Sequence, residues 1–196
     1  VMEGDASLSG RPMRRVTEPL ALMGAQIDTQ DGGRPPLRVH GGSALKGINY
    51  VMPMASAQVK SCVLLAGLYA TGETCVTEPA PTRDHTERML QGFGYEVRRV
   101  AGEGGVSTVC LSGGGTLKAT SIDVPADISS AAFFLVAASI APGSDLVLEH
   151  VGINPTRTGV IEILRLMGAH IDVQNERTVG GEPVADLRVR SADLKG

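Results

Sequence analysis

Arg11–Asp28 reads RPMRRVTEPLALMGAQID, Thr82–Val97 reads TRDHTERMLQGFGYEV, and Thr156–Asp172 reads TRTGVIEILRLMGAHID. Each stretch sets an arginine before an amphipathic run, closes that run with a glycine and continues into a strand-like segment. The closing glycines are Gly24, Gly94 and Gly168, so the chain repeats with a unit of about seventy residues, longer than the common solenoid periods. A second pair of stretches supports the same unit. NYVMPMASAQVKSCVLLAGLYATGETCVTEP from Asn49 and SIDVPADISSAAFFLVAASIAPGSDLVLEHV from Ser121 both run strand, proline, helix start, apolar helix, glycine turn (Gly72, Gly143), strand. The order predicts repeated βαβαββ units in a layered α/β fold.

Working outward, residues 11–24 read as a helix with Pro12 in its first turn, Met13, Val16, Leu20 and Met23 on one face, and Gly24 as the stop. Pro19 should kink or divide it. AQIDT and LRVHG then read as strands around the turn QDGGRPP, and INYVMPM as a strand leading into a helix from Ser56 to about Thr71, capped by Ser56. The next unit follows: strand TCVTEPA, helix Asp84–Phe93, and the hairpin YEVRRVAGEGGVSTVCLSG. A strand is expected in SIDV, and a closing hairpin in RTVGGEPVADLRVRSADLKG. The short proline-containing stretch Val124–Asp127 is the expected hinge, dividing the chain into domains at 1–123 and 124–196.

With 42% hydrophobic and 20% charged residues among 196, the chain can bury a core. A net charge of −3 and six aromatic residues disfavour nucleic-acid binding. The longest apolar run, CVLLAGLYA, is too short to span a bilayer. Cys62, Cys75 and Cys110 are odd in number and widely spaced, which argues against a disulfide framework or a zinc site and fits a reducing, cytoplasmic setting. A first residue that is valine, with motif-like sequence starting at once, reads as a piece of a longer protein.

Three short segments carry candidate chemistry. GDASLSGRPM puts small residues before Arg11, as a clamp for a phosphate or carboxylate requires. MASAQVKS places Ser56, Ala57 and Gln58 at the start of an apolar helix, where backbone amides, a hydroxyl and a side-chain amide converge on an anion. Ordinary capping by Ser56 is the plainer alternative, and Lys60 reads as a surface charge. TRDHTE offers Arg83 as a phosphate ligand, with His85 a polar neighbour of the cap. It has no nucleophile elbow. The clusters AGEGGVS and LSGGGTLK match neither common nucleotide-binding glycine pattern and read as hairpin turns.

Taken in order, GDASLSGRPM, VMPMASAQVKS, EPAPTRDHTERMLQGFG, VPADISSAAFFLVAA and INPTRTGVIEILRLMGA resemble the 5-enolpyruvylshikimate-3-phosphate (EPSP) synthase family, in its bacterial glyphosate-tolerant type, over essentially the whole chain. The resemblance implies two domains of pseudo-threefold βαβαββ units, an inside-out α/β barrel of which this chain holds an incomplete part. It implies a monomeric cytoplasmic enzyme without metal or cofactor, acting on phosphoenolpyruvate and shikimate 3-phosphate with no nucleic acid or membrane partner. It matches Arg11 to a phosphoenolpyruvate contact, Ser56 and Ala57 to the 3-phosphate of shikimate 3-phosphate, Gln58 to both substrates, and Arg83 to a further shikimate-phosphate contact. Arg157 carries no ligand role and is expected to be architectural. The family's acid/base residues fall outside the chain, so no catalytic residue is expected within it. The related UDP-N-acetylglucosamine enolpyruvyl transferases carry a reactive cysteine where this chain has Ala6. A non-catalytic anion-binding or structural module is the remaining alternative.

Overall fold

The structure, a computed structural model, describes residues 1–196. The chain runs α1 (Ala6–Ser9), α2 (Arg14–Leu22), β1 (Gln26–Gln30), β2 (Arg34–His40), β3 (Asn49–Val51), α3 (Ala57–Gly67), β4 (Glu73–Glu78) and α4 (His85–Gly92). It continues through β5 (Arg98–Ala101), β6 (Ser107–Ser112), α5 (Ile128–Ile140), β7 (Asp145–Gly152), α6 (Gly159–Leu166), β8 (His170–Val179) and β9 (Glu182–Arg190). Two compact units form, one from Val1–Thr82 with Gly94–Leu117, the other from Arg83–Phe93 with Lys118–Gly196.

In the first unit a four-stranded sheet has the order β3-β4-β6-β5. β3 and β4 are parallel, an arrangement that needs a crossover connection and has one in α3, while β4–β6 and β5–β6 are antiparallel. α3 lies on β4 and β6. Its buried residues Val59, Lys60, Val63, Leu64 and Gly67 recur at helical spacing and make one face. Gly67 permits the close approach: a Cβ there would stand 2.8 Å from Thr74 Oγ1 and 2.9 Å from its Cβ. α2 packs on α3, and β1 and β2 form a separate antiparallel pair.

Three local readings change in this unit. Arg11 stands outside α2, whose N-cap is Met13, and follows the extra helical turn α1. Pro19 lies buried inside α2 without ending it. Proline removes one intrahelical bond, here the one owed to the Arg15 carbonyl near the exposed start of a short helix. Pro35 and Pro36, expected in the turn, belong to β2, a strand whose sheet has just two members and therefore an open edge that needs no N–H from them.

The cysteine reading is also corrected. Cys75 and Cys110 sit directly opposite each other on β4 and β6 and are joined as a disulfide, while Cys62 is free. Their separation of 35 residues hides a pairing that strand register creates.

In the second unit the antiparallel sheet β7-β9-β8 carries α5 on β7 and β9 and α6 on β8. Its core gathers Leu135, Val151, Ile161, Leu164, Leu187 and Val189. The strand expected in SIDV does not form. A single parallel bridge, Ala126 to Val151, stands in its place, because Pro125 brings no N–H to a ladder at the point where pairing starts. No helix of the chain is long and apolar enough to cross a membrane.

The repeat glycines take left-handed backbone, with φ of +101° at Gly24, +74° at Gly94 and +97° at Gly168. At Gly24 and Gly168 the closing pattern is identical. Gly24 and Ala25 donate to Ala21 and Leu20, and Gly168 and Ala169 donate to Arg165 and Leu164, each at 2.9 Å. This double reverse bond satisfies the last helical carbonyls and demands a residue free of Cβ strain.

Candidate functional site

Ser56, Ala57 and Gln58 are brought together by the start of α3. Ser56 has extended backbone, with φ −153° and ψ 107°, and its Oγ accepts from Val59 N at 3.3 Å. Lys60 N closes the first regular bond on Ser56 O at 3.0 Å. By helix geometry the amides of Ala57 and Gln58 have no intrahelical acceptor, and they carry the positive end of the helix dipole. Ser56 and Ala57 are half-buried and Gln58 is exposed. A neutral cap thus leaves a rimmed, electropositive helix end.

Under this turn lies a polar cluster that the sequence reading missed. Lys60 is wholly buried rather than a surface charge, and its Nζ stands 3.1 Å from Oε2 of the equally buried Glu78. The same Oε2 accepts from Thr82 Oγ1 at 2.6 Å. Oε1 accepts from Ser107 Oγ at 2.8 Å and from Arg99 Nη2 at 3.0 Å. Burial pushes the Glu78 carboxyl up, but the hydrogen bonds from Thr82, Ser107 and Lys60 and the lysine's charge outweigh it and hold the group below its ordinary value. The signal was present in the sequence: Lys60 falls on the same helical face as Val63, Leu64 and Gly67.

Arg11 is exposed in the loop between α1 and α2, where its Nη2 reaches Ser7 Oγ at 3.5 Å. A cavity of about 420 Å³ in the same unit is lined by Glu73, Tyr95, Arg98 and Cys110 among others, and by none of Arg11, Ser56, Ala57 and Gln58. Glu73, Cys75 and Cys110 bring a carboxylate oxygen and two sulfurs within 4.8 Å of one another. With the sulfurs bonded to each other they are not thiolates, the form that ligates a metal. Burial pushes the Cys62 thiol up, so it too is not poised as a nucleophile.

In the second unit Arg83 is exposed just ahead of Asp84, the N-cap of α4. Asp84 makes no capping bond. It accepts from Asn154 Nδ2 at 2.7 Å and pairs with Arg88 at 3.0 Å. Burial raises its carboxyl, and the bonds from Arg88 and Asn154 prevail and lower it. His85 Nδ1 lies 2.7 Å from Glu182 Oε1, which makes it a member of this network rather than a mere neighbour of the cap. A cavity of about 190 Å³ is lined by His85, Asp127, Asn154, Arg157 and Glu182.

Arg157 pairs with Asp127 at 2.9 Å and bonds to Ser129. Asp127 in turn caps α5, its Oδ2 accepting from Ser130 N at 3.3 Å. The third arginine therefore ties its loop to a helix start that already owns a carboxylate.

These features define an α/β protein of repeated βαβαββ units. A family model for EPSP synthase (3-phosphoshikimate 1-carboxyvinyltransferase) matches residues 1–196, and the chain belongs to that family. It is 72% identical over 195 residues to the 3-phosphoshikimate 1-carboxyvinyltransferase of Alkalilimnicola ehrlichii, covering 100% of this chain and 43% of that protein. With the protein of the same name from Hydrogenovibrio crunogenus it shares 70% over 193 residues, which is 98% of this chain and 43% of the relative. An EPSP synthase structure from Acinetobacter baumannii superposes with a TM-score of 0.87 at 63% identity, covering 100% of this chain and 44% of that one. The chain thus spans less than half the length of these relatives.

Proposed function

We propose that this chain is part of an enzyme that transfers the enolpyruvyl group of phosphoenolpyruvate to the 5-hydroxyl of shikimate 3-phosphate and releases phosphate, a step in aromatic amino-acid biosynthesis. The observation that carries the reading is the neutral-capped N-terminus of α3, within a chain matched by the family over its whole length. Residues 1–123 belong to the substrate-binding domain and 124–196 begin the second. The setting is the cytoplasm and the complete protein is a monomer.

In the reaction, the methylene carbon of phosphoenolpyruvate takes a proton and becomes a methyl group, while the 5-hydroxyl oxygen gives up its own proton and bonds to the adjacent carbon. The tetrahedral adduct then loses phosphate and a proton of that methyl group, which restores the vinyl group on the new ether. Two phosphates and two carboxylates meet in such a site, so fixed cationic and amide donors must hold them. Ser56 Oγ and the Ala57 and Gln58 amides hold the 3-phosphate of shikimate 3-phosphate, the Gln58 side chain reaches both substrates, Arg83 binds the shikimate phosphate and Arg11 the phosphoenolpyruvate. Proton transfer falls to residues outside the chain. Ala6 at the place of the reactive cysteine, together with a Cys62 thiol pushed up by burial, speaks against a UDP-N-acetylglucosamine enolpyruvyl transferase.

Titration of the 196-residue chain with shikimate 3-phosphate, followed by backbone amide shifts, tests this. Perturbation at residues 56–58 without turnover is expected, and the lack of any perturbation there would sink the half-site in favour of a non-binding structural module.

A further inference from the structure

We propose that Glu78 is a positioning residue for the anion-binding end of α3, acting through Lys60, an inference that rests on the reading of that helix end given above. Lys60 follows Ser56 by four residues and donates its N–H to the Ser56 carbonyl at 3.0 Å, so the two stand one turn apart on one helix face. Apolar contacts between α3 and its sheet tolerate small slides and rotations. A 3.1 Å ion pair between two wholly buried side chains does not. Glu78 closes β4, and its carboxylate is itself fixed by Thr82, by Ser107 of β6 and by Arg99 of β5. The pull on Lys60 therefore sets the height and rotation of the first turn against the sheet. Donors aimed at a phosphate work within about 0.5 Å of their productive place.

Stability alone gives no reason for the pair, because apolar residues of similar volume serve a buried position as well or better. The second copy of the repeat makes that point within this chain. Counted from the matched turns Gly72 and Gly143, Lys60 corresponds to Ala131 and Glu78 to Glu149. Ala131 packs into the core and Glu149 is exposed. The helix whose N-terminus carries its own carboxylate, Asp127, has no buried cation under its first turn. Lys60 is fully enclosed, so its influence on the helix end is indirect.

The test uses the full-length protein that carries this segment, with Glu78→Gln, Lys60→Met and the double variant. Lys60→Met leaves Glu78 its Arg99, Thr82 and Ser107 partners and keeps the volume, which protects the fold should Glu78→Gln fail. Each single change is expected to raise KM for shikimate 3-phosphate about tenfold with kcat within about threefold, and the double variant is no worse than the larger single effect, as for residues acting as a unit. Folded variants with unchanged KM would overturn the proposal, as would effects that add or a parallel fall in kcat. Failure of all three to fold would make the pair a folding requirement and remove the positioning role. A parent enzyme that forms no enolpyruvyl product rejects the proposed function instead, and the two failures are thereby told apart.

Discussion

α3 and α5 occupy the same place in two copies of one repeat, yet their N-termini are chemically opposite. Ser56 caps α3 with a neutral hydroxyl, whereas Asp127 caps α5 with a carboxylate that Arg157 already pairs. Either residue satisfies a helix start equally well. The difference lies in what each leaves over: the α5 terminus is neutralised from within, while the α3 terminus keeps the positive end of its dipole uncompensated by its cap. On the proposed function, a duplicated frame thus separates an architectural position from a ligand-facing one by one side chain.

The sharpest way to break the contrast is Ser56→Asp, which gives α3 the cap of α5. A carboxylate beside the bound phosphate should weaken shikimate 3-phosphate about 100-fold by like-charge repulsion, while the thermal midpoint stays near the parent's. Titration calorimetry with a melting curve reads both. Removing the charge under α3 comes next. Glu78→Gln should cost about 2 kcal/mol at neutral pH, less than the loss of a whole buried pair because an acceptor oxygen remains. The folded Glu78 carboxyl lies below its ordinary value, so its stabilisation is complete above the unfolded value and is lost as pH falls through the folded one. Urea midpoints of parent and variant should therefore differ by a constant amount above about pH 5 and draw together progressively as the pH falls below that.

Where the copies agree, the same change should cost the same. Gly24→Ala and Gly168→Ala each force a Cβ into left-handed backbone, at φ +101° and +97°, and should each lose about 1 kcal/mol without altering ligand affinity. The smallest effect belongs to the α5 cap. Arg157→Ala removes a partner from the half-exposed Asp127, and should cost less than about 1 kcal/mol and leave shikimate 3-phosphate binding unmoved.

Much of the frame was legible because backbone demands show in residue type. The closing glycines, the Ser56 cap, the helix Ala57–Gly67 and the hairpin β5–β6 all follow from local rules. What escaped depends on which segments meet. Lys60 looks like any charged residue until Glu78 arrives from another element, and Cys75 finds Cys110 through strand register. SIDV has strand composition, but its ladder stops at the bridge of Ala126, next to Pro125. Glu182 and Asn154 gave no signal at all, since their partners Asp84 and His85 lie 70 or more residues away in the chain.

The interleaved make-up of the two units bears on how the molecule can be taken apart. The chain crosses between them after Thr82, after Phe93 and after Leu117. A nick at the last crossing leaves the first unit whole on the amino-terminal piece but divides the second. The amino-terminal piece keeps α4, whose Asp84 and His85 are held by Asn154 and Glu182 on the other piece. Such halves would be expected to remain associated after limited proteolysis and to reassemble when mixed, with α4 as the strap that one half carries and the other holds.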